Sequence, residues 1–502
     1  MKKIVLFGAG KSATVLIEYL IKEAAYENWK LIVADADLTV AQKKVGTSSF
    51  AEAISFDARS DERQKYVQWA DIVISLLPPP LHILVAQDCI TYKKNLLTAS
   101  YVDDEIKKVA SEIQKKGLLF LYEMGLDPGI DHMSAKKIVD EIVSDGGTIS
   151  SFISHCGGLV APESDDNPWH YKISWNPRNI VTAGKAGALF KQVDEIKRLS
   201  YKELFSEKRF IEIPEHEILC WYPNRDSLNY MHLYGLDDCS TFIRTTLRHP
   251  DFIYGWRNMI ELKLTDEEPV YETDGKTLMD FFKEHMHKHN FGEWLEEKLK
   301  TQFEYTKTML NDLLKLVELE EKAEIKNESV DHFMMVNQEG GLQDINVDEL
   351  KTTAAATIAD KMHEANLTLK QLFFLGMDDG ETLINKGKCS AADVLQFALE
   401  KKLALQTEDR DMVVMLHEIE SENEGKRFRH SSYLSLKGKD AEHTAMAKTV
   451  GLPLGIAAKL ILNGTIAQTG LHIPVIKEIY EPVLDELKQH GVEFKERIEL
   501  LP

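Results

Sequence analysis

The sequence predicts an α/β fold in which a doubly wound parallel sheet is joined to an α+β domain with a mixed sheet and to a helical insertion. Short apolar runs alternate with helical segments over residues 3–122, as in parallel sheets covered by helices on both faces. Between residues 149 and 265, strand-like runs follow one another with few helices. From residue 277 to residue 405, apolar residues recur with a period of about 3.6 residues, which is typical of helices.

The first part of the chain predicts a strand, a turn, a helix and a second strand. The expected elements are a strand over Lys3–Phe7, a helix over Thr14–Lys22 and a strand over Leu31–Ala34. Gly8 allows a sharp turn off the strand, Gly10 allows the backbone to approach a pyrophosphate, and Ala13 allows helix and strand to pack closely. The start of the helix offers unpaired N–H groups to phosphate. The turn therefore predicts a dinucleotide site of the Rossmann kind.

Asp35 at the end of the second strand bears on the choice of cofactor. A carboxylate there accepts hydrogen bonds from the adenosine ribose and repels a 2′-phosphate. We therefore expect NAD and regard NADP as the less favoured alternative, although Lys11 or Arg59 could reach a phosphate.

Four further strands are expected to complete the parallel sheet. They are Ala53–Asp57, Ile72–Leu76, Asn95–Thr98 and Leu118–Tyr122, with helices such as Leu81–Thr91 and Asp104–Lys116 between them. Ligands of such sheets lie outside the carboxyl ends of the strands. The segments Leu76–Pro78, Ser100–Tyr101 and Gly125–Gly129 should therefore line the cofactor cleft.

The remaining elements are expected in a second sheet and in the helical insertion. The predicted strands are Ile149–His155, Phe210–Ile213, Glu217–Trp221, Phe242–Leu247 and Met259–Thr265, with a hairpin over Met412–Glu420 and Arg427–Leu436 that rejoins the second sheet. The predicted helices are Lys276–His289, Glu293–Leu319, Val347–Ala365 and Ala391–Lys402, with a final helix over Thr444–Ile461.

Composition excludes several classes of function. The chain has 502 residues and a net charge of −21, which leaves no basic surface for nucleic acid. Its five scattered cysteines indicate neither a disulfide framework nor a zinc site, and they fit a reducing cytoplasm. No run approaches the roughly 18 to 20 apolar residues of a membrane span, and the apolar run after Met1 is too short for a signal peptide. We expect a cytoplasmic protein without a membrane partner.

Four features could carry chemistry. Asp127 lies on the glycine-rich loop after the sixth strand, facing the cofactor, whereas Asp131 is placed to cap the next helix. Cys156 could act as a thiol acid or base, or could simply be buried. The arginines of segments 222–227 and 244–248 could select a substrate with several carboxylates, or could form surface ion pairs. His285, His287 and His289 form a histidine tract that we assign to a solvated helix surface rather than to a metal site; no metal is expected.

Together these motifs resemble the saccharopine dehydrogenase family in its glutamate-forming, or saccharopine reductase, form. The chain is similar as well to the dehydrogenase half of bifunctional aminoadipate-semialdehyde synthase. The resemblance is carried by Gly8–Gly10, Ile74–Pro78 with His82, Thr98–Tyr101, Gly125–Met133, His155–Gly158, Asn167–Pro168, Tyr171–Trp175, Tyr222–Ser227, Thr246–Arg248, Arg410–Val413 and Ala445–Gly451.

The resemblance implies three domains and a homodimer. The expected domains are a Rossmann domain over residues 1–125 completed by 440–502, an α/β substrate and dimerisation domain over 126–275 completed by 410–440, and a helical insertion over 276–409. It also implies that saccharopine binds between the first two domains.

The resemblance adds roles for individual residues. The cofactor-binding residues expected from the cleft and the resemblance are Gly8, Gly10, Lys11, Ser12, Asp35, Asp57, Leu76, Leu77, Pro78, Ser100, Tyr101, Leu126 and Asp127. The expected substrate-binding residues are Ser100, Tyr101, Asp127, Arg225, Thr246, Leu247 and Arg248. Asp127, Tyr101 and Cys156 are the candidates for proton transfer.

The resemblance also shows where this chain departs from its family. Family members that use NADP for biosynthesis carry arginine where Ala36 stands here, which favours NAD again. His155 stands where tyrosine is frequent and Trp169 where leucine is.

The expected reaction is the reversible NAD-dependent oxidation of saccharopine, with water, to glutamate and 2-aminoadipate 6-semialdehyde. One alternative keeps the fold but acts on carboxy-polyamines, whose more cationic character calls for acidic residues in place of Arg225 and Arg248. A second alternative is a non-catalytic NAD-binding redox sensor.

Overall fold

The computed structural model describes residues 1–325, 332–336 and 342–502. These residues divide into two compact units. The first unit contains Met1–Asp166, His170–Pro250 and Leu403–Pro502, and the second contains Asn167–Trp169 and Asp251–Lys402. Both large sheets belong to the first unit.

The first third of the chain alternates strands and helices. Its strands are β1 (Lys3–Phe7), β2 (Lys30–Asp35), β3 (Ala51–Ser55), β4 (Ile72–Ser75), β5 (Asn95–Thr98) and β6 (Leu119–Leu121). Its helices are α1 (Thr14–Glu27), α2 (Leu38–Val45), α3 (Arg63–Trp69), α4 (His82–Tyr92), α5 (Asp104–Lys115) and α6 (Ile130–Ser144).

The next part is rich in strands. They are β7 (Thr148–Val160), β8 (Ala188–Gln192), β9 (Glu195–Leu199), β10 (Arg209–Ile211), β11 (Leu219–Pro223), β12 (Arg225–Asp226) and β13 (Thr241–Arg248). Three short helices lie between them: α7 (Pro177–Val181), α8 (Tyr201–Leu204) and α9 (Met231–Tyr234).

The second unit is mainly helical. Its helices are α10 (Pro250–Glu261), α11 (Leu278–Lys288), α12 (Phe291–Ile325), α13 (Val347–Phe374) and α14 (Ala391–Lys402). It also contains two strand pairs, β14 (Pro269–Glu272) with β17 (Lys388–Ser390) and β15 (His332–Val336) with β16 (Leu342–Asn346).

The last hundred residues return to the first unit. They form β18 (Asp411–Asn423), β19 (Lys426–Lys437), α15 (Ala445–Leu462), β20 (Gly470–His472), α16 (Lys477–Gln489) and β21 (Lys495–Leu501).

The parallel sheet has the strand order β20-β6-β5-β4-β1-β2-β3. Because β1 lies between β2 and β4, the chain changes direction across the sheet at the carboxyl end of β1, where such sheets bind ligands. Successive β1 residues are buried in different apolar clusters, Leu6 in one and Phe7 in the other. The sheet is therefore covered on both faces, which is why its strands are apolar throughout.

The second sheet is mixed and has ten strands, with the main order β10-β11-β13-β7-β18-β19-β21. β13 runs parallel to β7, whereas β18 pairs with β7 in the antiparallel direction. The long central strands β7 and β18 bring the segments before and after the second unit into one sheet.

The α/β class and the two sheets confirm the predicted fold, but several elements differ. The predicted strand Met259–Thr265 is wrong, because Met259 to Glu261 form the end of α10. A short buried apolar run has the same composition in a helix as in a strand. β21 pairs with β19, so the end of segment 440–502 extends the mixed sheet, whereas β20 joins the parallel one. The region 277–405, expected to be almost wholly helical, also contains β15, β16 and β17.

The final long helix also corrects an expectation. Among the described residues, Ala445–Leu462 is long and apolar enough to cross a membrane, although no such run was expected. The helix is 72% buried in the protein. A Cβ on Gly451 would lie 2.9 Å from the backbone nitrogen of Leu16 in α1, so small residues allow the two helices to touch. This is the environment of a core helix.

The histidine tract lies on α11 and at its end. His285 is only 1% exposed, and it bonds the hydroxyl of Tyr271 at 2.7 Å and the carbonyl of Leu262 at 2.8 Å. The prediction of a solvated surface is therefore wrong for His285. Burial lowers its pKa to about 4, so the ring is a neutral part of the core.

Candidate functional site

The turn after β1 has the geometry expected for a phosphate-binding turn. Gly8 has φ of +99°, and a Cβ there would lie 2.9 Å from the carbonyl oxygen of Leu76. A Cβ on Gly10 would meet nothing within 4 Å among the described residues. Gly8 is thus required by the fold, whereas Gly10 leaves its backbone open to a ligand. Ser12 lies half-buried in the helical turn Lys11–Ala13 that leads into α1.

Asp35 lies against this turn at the end of β2. Its Oδ2 accepts the N–H of Ala9 at 2.6 Å, and its Oδ1 accepts the N–H of Asp37 at 2.9 Å. Each carboxylate oxygen can accept a further hydrogen bond. The contact with Ala9 also orders the turn itself, a role that the sequence did not indicate.

Two lysines lie beside the turn. Lys44 Nζ donates to the carbonyl of Gly10 at 2.5 Å, and burial lowers its pKa to about 8. Lys11 Nζ donates to the carbonyl of Ile173 at 3.3 Å. Asp57 is exposed and accepts the N–H of Arg59 at 2.9 Å, in the segment after β3.

The ends of β4 and β5 are joined by a buried histidine. His82 Nδ1 lies 2.9 Å from Ser75 Oγ, and its Nε2 lies 2.7 Å from Ser100 Oγ. Burial lowers the pKa of His82 to about 4, so the ring is neutral at physiological pH. In the segment that follows β4, Leu76 and Leu77 are half-buried and Pro78 is exposed. His82 therefore orients Ser100 through a neutral hydrogen-bond chain.

The loop after β6 is folded tightly against β5. Glu123 N–H donates to Ser100 O at 3.1 Å, and Met124 N–H donates to Thr98 O at 3.0 Å. Gly129 has φ of +147°, and a Cβ there would lie 2.1 Å from the carbonyl oxygen of Gly125, so only glycine fits. Leu126 is buried, whereas the next residue, Asp127, is only partly buried.

Asp127 is the centre of a polar cluster. Its Oδ1 accepts the hydroxyl of Tyr101 at 3.2 Å and Arg244 Nη2 at 2.6 Å. Its Oδ2 lies 3.4 Å from Asn224 Nδ2. Burial and the charge of Asp131 raise the pKa of Asp127, whereas Arg244 lowers it. The net rise makes Asp127 a better proton acceptor than an ordinary aspartate.

Asp131 shares the same arginine. Its Oδ2 accepts Arg244 Nη2 at 2.7 Å, and its Oδ1 accepts the N–H of Gly129 at 2.6 Å. Although burial acts in the opposite direction, His132, Arg244 and this N–H together lower the pKa of Asp131. Asp131 lies in the first turn of α6, and the helix has no side-chain cap. The interpretation of Asp131 as a helix cap is therefore wrong.

A second set of polar side chains, Glu123, His132, Tyr230 and Tyr234, holds the loop after β6 in place. Glu123 Oε2 lies 2.9 Å from His132 Nε2 and accepts the hydroxyl of Tyr230 at 3.1 Å. His132 Nδ1 lies 2.6 Å from the hydroxyl of Tyr234. These buried contacts fix the loop that carries Asp127.

The expected substrate arginines differ in exposure. Arg225 is exposed, and its guanidinium lies 5.0 Å from the centre of the Tyr101 ring. Arg248 is buried at the end of β13, where its Nη1 donates to the carbonyl of Leu247 at 2.7 Å and its guanidinium lies over the ring of Tyr171. Thr246 is half-buried and is the register partner of Cys156.

Cys156 belongs to the buried apolar cluster that also contains Leu6 of β1 and Met415 of β18. It is 5% exposed, and burial raises its pKa well above the usual value. Its neutral thiol is poorly suited to accept a proton, so the geometry favours the Asp127 carboxylate for that role, with the Tyr101 hydroxyl donating to it. His155 beside it bonds the hydroxyl of Thr245 at 2.6 Å.

The structure thus brings Ser100, Tyr101, Asp127 and Arg225 together at the carboxyl ends of the parallel strands. It adds Asp131 and His82, and it places Arg244, considered from the sequence only as a possible ligand for substrate carboxylates, against Asp127 and Asp131. The available signal for Arg244 was a charge following the apolar pair Phe242-Ile243 inside a predicted strand, since a buried charge requires a partner.

Two family models together match nearly the whole chain. Residues 4–121 match the saccharopine dehydrogenase NADP binding domain, and residues 125–492 match the saccharopine dehydrogenase C-terminal domain. The chain is 30% identical over 500 residues to "Saccharopine dehydrogenase [NADP(+), L-glutamate-forming]" of Saccharomyces cerevisiae, covering 99% of both chains. The match to this domain indicates a nicotinamide cofactor. The names of the domain and of the yeast relative specify NADP, whereas Asp35 and Ala36 favour NAD.

Other relatives are longer. The chain is 33% identical over 481 residues to the alpha-aminoadipic semialdehyde synthase of Arabidopsis thaliana, with 93% of this chain covering 41% of that protein. It is 29% identical to the mitochondrial enzyme of that name from Bos taurus, of which it covers 47%.

Solved structures give the same result. The apo saccharopine dehydrogenase (L-Glu forming) of Saccharomyces cerevisiae matches with a TM-score of 0.76 and 28% identity, over 99% of this chain and 100% of that chain. A homospermidine synthase of Legionella pneumophila, with a TM-score of 0.52 and 8% identity over 99% of this chain and 91% of that one, shares the fold alone. The chain therefore belongs to the saccharopine dehydrogenase family of oxidoreductases.

Proposed function

We propose that this protein oxidises saccharopine, with water, to glutamate and 2-aminoadipate 6-semialdehyde, in a reversible reaction of lysine metabolism. The observation that carries the proposal is that Tyr101 contacts both Asp127 and Arg225 near the carboxyl ends of the parallel strands. The yeast relative of this name, which the chain matches over 99% of its length, supports the choice of substrate.

The glycine turn fits a dinucleotide. Gly10 leaves space beside its backbone, and the helical turn Lys11–Ala13 offers N–H groups to a pyrophosphate. Bound there, a nicotinamide would accept the hydride from the carbon next to the saccharopine nitrogen. Ser100, held by His82, follows β5 at the carboxyl ends of the parallel strands and would line the cofactor site there.

The chain supplies proton transfer near the substrate nitrogen. That amine must be neutral before hydride leaves, and water must lose a proton as it adds to the imine. Asp127 is the group suited to both steps if it passes the amine proton to solvent before it accepts the proton of water, because burial raises its pKa and it is partly exposed. Tyr101 donates its hydroxyl to Asp127 and so orients the carboxylate.

The arginines hold the substrate rather than move protons. Saccharopine carries several carboxylates, and a guanidinium binds a carboxylate through two parallel hydrogen bonds. Arg225 is exposed at the edge of the site, stacked on Tyr101, where it can meet such a group. Positioning of this kind places the reacting carbon against the cofactor.

The test is to follow reduction of NAD and of NADP in parallel with purified protein and saccharopine at mildly alkaline pH. Reduction of either cofactor supports the reaction. No reduction with either would reject it, and the same assay with carboxy-polyamines then tests the alternative substrate. Arg225→Gln should raise the KM for saccharopine at least 10-fold while leaving cofactor binding unchanged.

We propose NAD as the cofactor used. Asp35 and Asp37 place two carboxylates at the end of β2, where a 2′-phosphate would lie, and Ala36 between them offers no positive charge. The relatives named for NADP(+) favour the opposite choice. Comparing kcat/KM for the two cofactors decides between them, and Ala36→Arg should shift the ratio about 10-fold towards NADP. A wild-type preference for NADP would reject this choice alone.

We also propose that the protein forms a homodimer. β21 is an edge strand of the mixed sheet, and its Ile498 and Leu500 are each 65% exposed. Exposed apolar edge strands are usually covered in the native assembly. Sedimentation equilibrium should give twice the chain mass, and a single chain mass at micromolar concentration would contradict it.

A further inference from the structure

The cluster around Arg244 contains more negative than positive charge. Arg244 is 2% exposed, and the side chains of Asp127 and Asp131 are 13% and 2% exposed. A single nitrogen, Nη2, donates to both carboxylates, at 2.6 and 2.7 Å. Since two carboxylates share one guanidinium, one negative charge remains uncompensated within this cluster.

The two carboxylates are not equivalent. Besides Arg244, Asp131 is bound by the N–H of Gly129 and lies beside His132, whereas Asp127 accepts the Tyr101 hydroxyl and a long contact from Asn224. The more strongly bound carboxylate keeps its charge more easily. Asp127, the carboxylate nearer the cleft, is therefore the one that takes up a proton more readily.

We propose that Arg244 and Asp131 are positioning residues for proton transfer at Asp127. Arg244 holds the Asp127 carboxylate in one orientation, and Asp131 draws part of the arginine's charge away from it. The proposal rests on the proposed role of Asp127 and goes beyond it, because neither Arg244 nor Asp131 needs to touch the substrate.

Six further groups, each on an element packed around the cluster, also influence the charge of Asp127. They are Tyr101 from the loop after β5, His132 from α6, Cys156 from β7, Asn224 from the turn after β11, Tyr234 from α9, and Arg225 through Tyr101. Arg244 and Asp131 should outweigh these groups, because Arg244 Nη2 lies 2.6 Å from Asp127 Oδ1 and 2.7 Å from Asp131 Oδ2.

The geometry predicts opposite shifts for two variants. Asp131→Asn removes a negative charge, so the pKa of Asp127 should fall and the acid limb of kcat/KM should move about one pH unit lower. Arg244→Gln removes the positive charge, so the same limb should move about one pH unit higher. Arg244→Lys keeps the charge and should restore most of the wild-type profile.

The experiment is to measure kcat/KM for saccharopine oxidation from acidic to alkaline pH with these variants. Asp88→Asn, which breaks a buried arginine pair elsewhere in the first unit, is the matched control and should leave the limb in place. Quenching of protein fluorescence by the reduced cofactor checks that each variant is folded and binds. Should Arg244→Gln fail to fold, Asp131→Asn and Arg244→Lys still decide the question.

The outcomes separate the two proposals. If Asp127→Asn keeps the wild-type limb, Asp127 is not the acid–base group and the proposed mechanism fails. If Asp127→Asn loses the limb but Asp131→Asn does not move it, only the positioning role is overturned. Loss of turnover in Asp131→Asn and Arg244→Gln without opposite shifts would likewise overturn it, since a merely structural role predicts that result.

Discussion

Two buried arginine clusters in the first unit can be compared directly. The Arg63 cluster consists of Arg63 and Asp88, which join α3 to α4, and the Arg244 cluster consists of Arg244, Asp127 and Asp131. Arg63 binds one carboxylate through Nε, and its Nη1 donates to the carbonyl of Ala58 at 2.6 Å. Arg244 binds two carboxylates through one nitrogen, and among the described residues its Nη1 has no hydrogen-bond partner.

The difference is the one expected between a structural ion pair and a cluster with the proton-transfer role that we propose. The Arg63 cluster is neutral, with its donors spread over a carboxylate and backbone carbonyls, so it serves to hold two helices together. The Arg244 cluster has a surplus carboxylate at its exposed end. A buried surplus charge costs stability, and it is retained where a group must accept a proton.

The largest expected effect is common to both clusters. Arg63→Gln and Arg244→Gln should each lower the free energy of unfolding by about 3–5 kcal/mol, because each leaves a buried carboxylate without its partner. Urea unfolding at neutral pH measures the change. Lys107→Gln, which breaks a pair whose side chains are 62% and 86% exposed, should change little. Unchanged stability of Arg244→Gln would contradict the buried ion pairs described above.

The clusters should differ sharply in activity. Asp127→Asn should reduce turnover about 100-fold or more, because it removes the proton acceptor. Asp88→Asn should leave turnover of the folded fraction within about two-fold, since the group only joins helices. Initial rates with saccharopine and saturating cofactor test both. Equal losses in the two variants would show that Asp127, too, acts through stability.

A third cluster consists of Ser75, His82 and Ser100. Its contribution to stability should depend on pH. Burial lowers the pKa of His82 to about 4, so the unfolded chain takes up a proton below about pH 6.5 while the native state does not. Stability should therefore fall as the pH decreases from about 6.5 to about 4.

The expected loss from this one group is about 2 kcal/mol between pH 7 and pH 5. It is measured as the difference in unfolding free energy between wild type and His82→Phe at the two pH values. His232→Gln, which removes a histidine whose side chain is 88% exposed, is the control and should follow the wild type. Parallel pH dependence of wild type and His82→Phe would contradict the buried neutral ring.

The smallest effect tests how Asp127 is oriented. Tyr101→Phe removes one hydroxyl donor at 3.2 Å but keeps the ring under Arg225, so turnover should fall about 10-fold with little change in KM. Tyr92→Phe, which removes a hydroxyl contact between helices of the parallel sheet, should have no such effect. A rise in KM without a fall in kcat would assign Tyr101 to substrate binding instead.

Local patterns were enough to predict much of this protein. The glycine turn, the acidic end of β2 and the alternation of apolar runs depend on residues close in sequence, so their periods and spacing are visible directly. For the same reason Asp127 and Tyr101 could be selected from loops that follow strands. Met259 and Ile260 were misplaced because a short apolar run fits a helix or a strand equally well.

The tertiary structure decided the partners. Arg244 meets Asp127 and Asp131 only because β13 lies beside β7 and the loop after β6 folds back over it, across more than one hundred residues of chain. The burial of His285 and Cys156 and the pairing of β21 with β19 also depend on such distant contacts. Residue type and spacing determine which groups can do chemistry, but proton affinity depends on the charges and burial that packing places around each group.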